Sequence, residues 1–300
     1  MNRLELPSKS GAYRWYYADV TAGEVSAVFI FMVGSIFSAR YSASLKKGGL
    51  PREHAAVNFA LYENGVRRCW VLTEYQAVSL AEDGRTLRIG ASSLRYHDGA
   101  MTMQVKDKTT PWGTPTEASL HFTPVAPLGP ELRLVDGLSH HWRPICARGD
   151  ARVTVPTHGV DVRGLGYHDG NHGEVALGGD LSGWQWARTH RPGHTEIRYQ
   201  PWGGSPGLTV RATDGLVQVE RGEAPAQPSS RTAWGLRVPE RLAVGDAPVL
   251  LESSPFYARL EAGAGDAQSL GEVADFARFH SPTIRWMANF RTRYSKEGAP

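Results

Sequence analysis

The sequence predicts an all-β protein made of two successive β units with a short helix near its C-terminal end. Three observations carry that prediction. Turn formers are plentiful, with 33 Gly and 19 Pro among 300 residues. Strand-favouring aromatics reach 10%, including nine Trp and eleven Tyr. Asn-Gly and Asp-Gly pairs also punctuate alternating apolar runs at short intervals, the spacing of sandwiches and barrels. A chain of this length can build one large or two ordinary domains.

Taken in order, Tyr13–Val20 alternates aromatic and other residues and reads as a strand. Val25 to Phe37 is the most apolar segment, but at about 13 residues it is shorter than the roughly 20 a spanning helix needs. Its Val, Ile and Phe content reads as buried strand. Ala55–Tyr62 and Arg67–Thr73 flank Asn64-Gly65, a hairpin turn that calls for positive φ. Thr86–Ile89, Ser93–Tyr96, Met101–Val105 and Ser119–Pro124 continue the pattern around Asp83-Gly84 and Asp98-Gly99. Pro124–Gly129 is a stiff connector, and the division into domains is expected near residue 150, giving 1–150 and 151–300. The second half repeats the style at Ala151–Val155, Val160–Tyr167, Gly183–Arg188, His194–Gln200, Gly207–Ala212, Gly215–Glu220, Thr232–Val238 and Val249–Leu260. Ser269–Tyr294 reads as the helix.

Composition narrows the function classes. A net charge of +3 from 33 basic and 30 acidic residues, without a dense basic run, gives no reason to expect nucleic acid. Cys69 and Cys146 form no C-x-x-C pair and read as reduced, inert thiols of an intracellular protein. The polar start, Met1–Ser10, lacks the apolar core of a signal peptide.

Chemistry concentrates between Ser139 and Gly173. On a strand, side chains two apart share a face. Tyr167, Asp169 and Asn171 then point one way, and His168, Gly170 and His172 the other. His140 pairs with Trp142, and Trp184 with Trp186. A pocket walled by Trp142, Tyr167, Trp184 and Trp186 would be dry, with Asp169 and His140 as its polar groups. A carboxyl there stays protonated and can serve as a general acid, while ring faces steady a cation. Gly164-x-Gly166 has no βαβ setting, so no nucleotide is expected. His140, His141, His168 and His172 lack metal-site spacing, so no metal is expected. No G-x-S-x-G elbow offers a serine nucleophile. Asp19, beside three aromatics, could be a buried functional carboxylate but reads more readily as a structural residue that caps a turn or pairs with an Arg.

These residues resemble the carotenoid 1,2-hydratases, also called hydroxyneurosporene synthases. The resemblance runs through Trp15-Tyr16-Tyr17-x-Asp19, Gly34-Ser35-Ile36-Phe37-Ser38, Val57-Asn58-Phe59-Ala60-Leu61-Tyr62 and Thr73-Glu74. It continues in His140-x-Trp142-x-Pro144, Gly164-x-Gly166-Tyr167-x-Asp169-x-Asn171-x-Gly173, Trp184-x-Trp186-x-Arg188 and Ser254-Pro255-Phe256-Tyr257-Ala258-Arg259. It implies tandem lipocalin-like domains and cofactor-independent addition of water to the terminal C1=C2 bond of an acyclic carotene. Carried over by position, the catalytic residues are His140, Trp142, Tyr167 and Asp169, with Trp184, Trp186 and Asn171 around the substrate. On this basis Asp169 protonates C2, Trp142 and Tyr167 hold the cation at C1, and His140 activates the water. The insoluble substrate implies a cytoplasmic protein lying on the inner membrane, with Trp286, Met287 and Phe290 beside Arg285, Arg291 and Arg293 as contacts. Two alternatives share the fold: a pericyclase or isomerase acting on a polyene, and a non-catalytic carrier of a carotenoid or lipid.

Overall fold

The computed structural model describes residues 3–179, 181–223, 227–245 and 247–296. The larger sheet begins with β1 (Tyr13–Ala22), β2 (Val25–Val33), β3 (Ala55–Glu63) and β4 (Val66–Tyr75), with helix α1 (Ala39–Ser44) between β2 and β3. It continues through β5 (Val78–Leu80), β6 (Thr86–Ile89), β7 (Ser92–His97), β8 (Ala100–Lys108) and β9 (Pro115–Pro124). The short β10 (Leu132–Arg133), the long β11 (His141–Val155) and β12 (Val160–Gly173) follow.

The second sheet takes β13 (Gly183–Arg191), β14 (His194–Pro201), β15 (Gly207–Ala212) and β16 (Val217–Gly222). After a flap of β17 (Ser229–Arg231) and β18 (Arg237–Pro239), it is completed by β19 (Val249–Ser253), β20 (Tyr257–Ala264) and β21 (Ala267–Asp275). Helices α2 (Phe276–Phe279) and α3 (Pro282–Phe290) lead to β22 (Arg293–Ser295), which returns to the first sheet and pairs in parallel with β4. The strand orders are β22-β4-β3-β2-β1-β12-β11-β9-β8-β7-β6-β5 and β16-β15-β14-β13-β21-β20-β19.

The first sheet curls over so that Phe29, Phe31 and Phe59 meet Leu94, Met103 and Phe122 in one core. A second core lies between the two sheets. Strand β1 serves both. Tyr16, Ala18 and Val20 face the first core, whereas Tyr13, Trp15 and Tyr17 face the second, as period-two alternation requires. Strand β12 divides in the same way. Tyr167 faces the intersheet core, while His168 packs with Tyr96 and Phe122 inside the first. The glycines of β12 are packing devices. A side chain at position 166 would strike the Phe122 ring at 2.8 Å and Ala151 at 2.8 Å.

The all-β class, the curled sheets and the short C-terminal helix agree with the sequence expectation. Asn64 and Gly65, and likewise Asp98 and Gly99, have the positive φ values expected of their hairpins. Residue 150 lies within β11, and the chain passes from one sheet to the other over residues 174–182. The helix starts later than its composition suggested. Ser269–Asp275 belongs to β21, held between β13 and β20, so pairing on both sides overrides weak strand propensity. Asp275 then caps α2 by accepting from the Arg278 N–H at 2.9 Å. The expected strand Val249–Leu260 is broken at Ser254–Phe256, and Thr232–Val238 contributes only its end to β18.

Asp19 is bonded to Arg188 across the two sheets, both side chains fully buried. The Tyr17 hydroxyl donates to the other Asp19 oxygen at 2.9 Å. Removing one member of such a pair strands the other charge out of water, at about 3–5 kcal/mol. Asp19→Ala is therefore expected to lower the urea unfolding free energy by about that amount. A loss below about 1 kcal/mol, the range of exposed pairs, would contradict this role.

Candidate active site

Antiparallel register places two transverse rows of side chains face to face. On the first sheet the row runs Asp169, Tyr17, Ile30, Asn58 and Leu72, on β12, β1, β2, β3 and β4. On the second sheet it runs Tyr199, Trp186, Glu272, Arg259 and Glu252, on β14, β13, β21, β20 and β19. All ten line one cavity. Trp15, Trp184, Met32, Asn171 and Tyr257 add to its wall, and its empty space, mouth included, is about 970 Å³. The lining is mostly aromatic and aliphatic with a few convergent polar groups, the usual character of a small-molecule site.

Asp169 is the carboxyl on the first-sheet side. Its Oδ2 accepts from the Tyr167 hydroxyl at 2.7 Å and from the Trp142 Nε1–H at 2.9 Å. Asn171 Nδ2–H reaches Oδ1 at 3.2 Å. Burial pushes the Asp169 pKa up to about 8, against the lowering effect of the Tyr167 and Trp142 hydrogen bonds; the charges of Glu272 and Asp19 add to the rise. The carboxyl is therefore an acid at neutral pH with a cavity in front of it. Two groups set by sequence reasoning as walls of that cavity stand instead behind it. Trp142 and Tyr167 are both wholly buried and spend their polar hydrogens on Asp169. A buried indole N–H needs an acceptor, and this one finds the carboxylate.

Trp184, Trp186 and Asn171 line the cavity. Trp186 packs on Tyr17 and Tyr167, with ring centroids 5.5 and 5.4 Å away, and Trp184 stacks on Trp15 at 5.9 Å. His140 lies outside the lining, against both Trp15 and Trp184. Its Nδ1 bonds the Tyr13 hydroxyl at 2.6 Å and its Nε2 the Tyr199 hydroxyl at 3.3 Å. Burial lowers its pKa to about 3, so the imidazole is neutral. The remaining histidines of the Gly-rich stretch are apart from the cavity. His168 bonds Tyr96 and the Tyr17 carbonyl inside the first core, and His141 stacks on His172. Among the described residues no three His, Cys, Asp or Glu side chains converge as a metal site would.

Sequence reasoning did not single out the charged ledge on the second sheet. Arg259, 1% exposed, donates through Nε and Nη2 to Glu272 Oε1 at 3.0 and 2.9 Å, and through Nη1 to Glu252 at 2.8 Å. The Tyr62 hydroxyl donates to Glu252 as well. Arg259 closes the Ser254–Arg259 motif, a signal that was available. Glu272 and Glu252 sit in no motif, and only lateral strand pairing brings them together.

The mouth is bordered by Ile36, Phe37, Phe256, Ala288, Arg291 and Thr292. Here α3 buries Ala288 against Phe256 and Phe279, while Trp286 and Phe290 project outward, 62% and 65% exposed, with their rings 4.7 Å apart. Of the three arginines in this region, Arg291 turns inward over Trp70 and Arg293 lies in β22. No helix among the described residues is long and apolar enough to cross a membrane.

Comparison with known proteins bears on this arrangement. The family model described as carotenoid hydratase CrtC matches residues 29–297. The acyclic carotenoid 1,2-hydratase of Thiocapsa roseopersicina is 30% identical over 308 residues, covering 96% of this chain and 75% of the relative. That of Cereibacter sphaeroides is 28% identical over 275 residues, covering 87% and 96%. Among solved structures, a Nitrosomonas europaea protein described as AttH superposes with a TM-score of 0.58 at 12% identity, covering 89% of this chain and 92% of the other. Kievitone hydratase from Nectria haematococca gives a TM-score of 0.50 at 10% identity, covering 89% of each chain. At those identities the two structures speak to the fold alone. The family match across residues 29–297 and the relatives' identity over most of the chain show that this protein belongs to the carotenoid hydratase CrtC family.

Proposed function

We propose that the protein is a carotenoid 1,2-hydratase that adds water across the terminal C1=C2 bond of an acyclic carotene of the lycopene or neurosporene type, giving a tertiary 1-hydroxy product. The observation that carries this reading is a buried carboxyl, Asp169, its pKa pushed up to about 8 by burial, facing an aromatic cavity. Hydration of a trisubstituted alkene needs a proton at C2 and a tolerated tertiary cation at C1. Oδ2 of Asp169 already accepts two hydrogen bonds, so the acidic proton belongs on Oδ1, and Tyr167 and Trp142 stabilise the carboxylate left after transfer. The cation at C1 lies against the faces of Tyr17, Trp184 and Trp186, whose quadrupoles favour positive charge in a water-poor space. His140, with both ring nitrogens engaged, fixes Tyr13 and Tyr199 and so the shape of this wall.

The same reading accounts for the mouth. An apolar substrate dissolved in lipid has to enter from a bilayer, and Trp286 with Phe290 offers rings that sit well in an interface. Arg40, stacked over Tyr294 at 3.3 Å, and Arg285 supply positive charge nearby. We place the protein on the cytoplasmic face of the inner membrane, with the cavity mouth toward the lipid.

Three measurements test these statements. Asp169→Asn keeps the side-chain shape and loses the acid, so hydration of lycopene or neurosporene should fall by about 10²–10⁴-fold. Near-normal turnover in that variant would sink the assignment. The active form is protonated, so kcat/KM of the wild type is expected to fall as pH rises through about 8, and a profile rising through that region would contradict it. Finally, Trp286→Ser/Phe290→Ser should cosediment with anionic liposomes far less than the wild type while retaining its near-ultraviolet circular dichroism. Equal binding by the two proteins would remove α3 from the membrane contact.

A further inference from the structure

A hydration that begins with proton donation also needs a second group, one that receives the proton given up by the attacking water. That group must face the cavity and have a free acceptor atom. His140 meets neither condition, since it lies behind Trp15 and Trp184 with both nitrogens bonded to tyrosines. Glu272 meets both. It lines the cavity on the sheet opposite Asp169, beside Trp186 in register. Both bonds from Arg259 fall on its Oε1, and among the described residues no hydrogen bond falls on Oε2.

Two neighbouring polar atoms point to a ligand at the same place. The Tyr257 hydroxyl and the Trp186 Nε1–H are buried, belong to residues lining the cavity, and have no hydrogen-bond partner among the described residues. Tyr257 is cross-strand from Ala274, two residues along β21 from Glu272, and Trp186 is cross-strand from Glu272 itself. A hydrocarbon cannot satisfy these groups. A water molecule can, because it needs two to four polar partners in a confined space. Arg259 bridges the two carboxyls Glu252 and Glu272 and so fixes where Oε2 stands.

Resting on the hydratase reading, we propose that Glu272 is a second catalytic residue: its Oε2 holds the attacking water, together with Tyr257 and Trp186, and accepts its proton. The Asp169 O–H bond breaks as the C1=C2 electron pair forms the C2–H bond. A lone pair of the water oxygen forms the C1–O bond, and one water O–H bond breaks as its proton passes to Glu272. Asp169 ends as the carboxylate and Glu272 as the acid. The proton returns from Glu272 to Asp169 through solvent entering as the alcohol leaves, and the protein is unchanged. Arg259 is a positioning residue that holds Oε1 and so aims Oε2 at the cavity.

The test uses the full-length protein with lycopene in D₂O, following the alcohol formed and the deuterium in recovered carotene. Glu272→Gln should lose hydration by about a hundredfold or more. Its recovered carotene should nevertheless gain deuterium at C2, because Asp169 still forms the cation and takes a proton back. Asp169→Asn should show neither alcohol nor deuterium. Formate added to Glu272→Ala, filling the vacated space with a small carboxylate, should restore alcohol formation. A loss below tenfold in Glu272→Gln, with an active wild type, overturns the Glu272 assignment alone. So does deuterium uptake no greater than that of Asp169→Asn combined with no rescue by formate. Absence of alcohol from the wild type overturns the hydratase reading, and the Glu272 assignment with it.

Discussion

Strand β1 has no face toward solvent, and the rest of the molecule is arranged around that constraint. One side of it completes the core of the first sheet, and the other is the floor on which the second sheet rests. A strand buried on both faces must be apolar or bring its own polar partners. Here Tyr16, Ala18 and Val20 take the first route, and Asp19 takes the second through Arg188 and Tyr17. Because β12 pairs directly with β1, the same division is imposed on Tyr167, Asp169 and Asn171, which are delivered to the intersheet space whether or not chemistry needs them there. The acid character of Asp169 follows from this placement. A carboxyl lodged on the hidden face of a central strand has little water to stabilise its charge.

Much of the first sheet was legible because its signals are local. Asn64-Gly65 and Asp98-Gly99 dictate hairpins, and alternation along Tyr13–Val20 and Val160–Gly173 fixes which side chains share a face. The same alternation aimed Asp169, Trp184, Trp186 and Asn171 at one space. What it could not supply was depth. Trp142 and Tyr167 do belong to the cavity-facing side of their strands, but they lie beneath the surface layer, where an N–H and a phenol must be satisfied and the carboxylate satisfies them. The aromatic wall belongs instead to Tyr17, Trp15, Trp184 and Trp186.

The second sheet was harder to read for a related reason. Glu252 and Glu272 are far enough apart in sequence to pass for charges on solvated faces, and nothing local distinguishes them from Glu220, which is exposed. Their meaning comes from register, a long-range property set by how β19, β20 and β21 pair. The strand assigned to Ala267–Asp275 shows the same limit. Its composition tolerates a helix, and its two neighbours make it a strand.

The parallel pairing of β22 with β4 has a consequence for biosynthesis. The cavity is bordered by Ala288, Arg291 and Thr292, and this segment is joined to the first sheet when Arg293–Ser295 reaches Thr73–Tyr75, strand residues made very early. That is a contact of very high sequence separation, the kind that forms late. A ribosome-bound chain can thus assemble its first sheet while that border is unmade, yet Asp169 then faces a space that the second sheet has still to close. The burial that raises the pKa of Asp169 therefore comes only with Trp186, Tyr199 and the rest of the second sheet, so the acid is made by the last half of the chain.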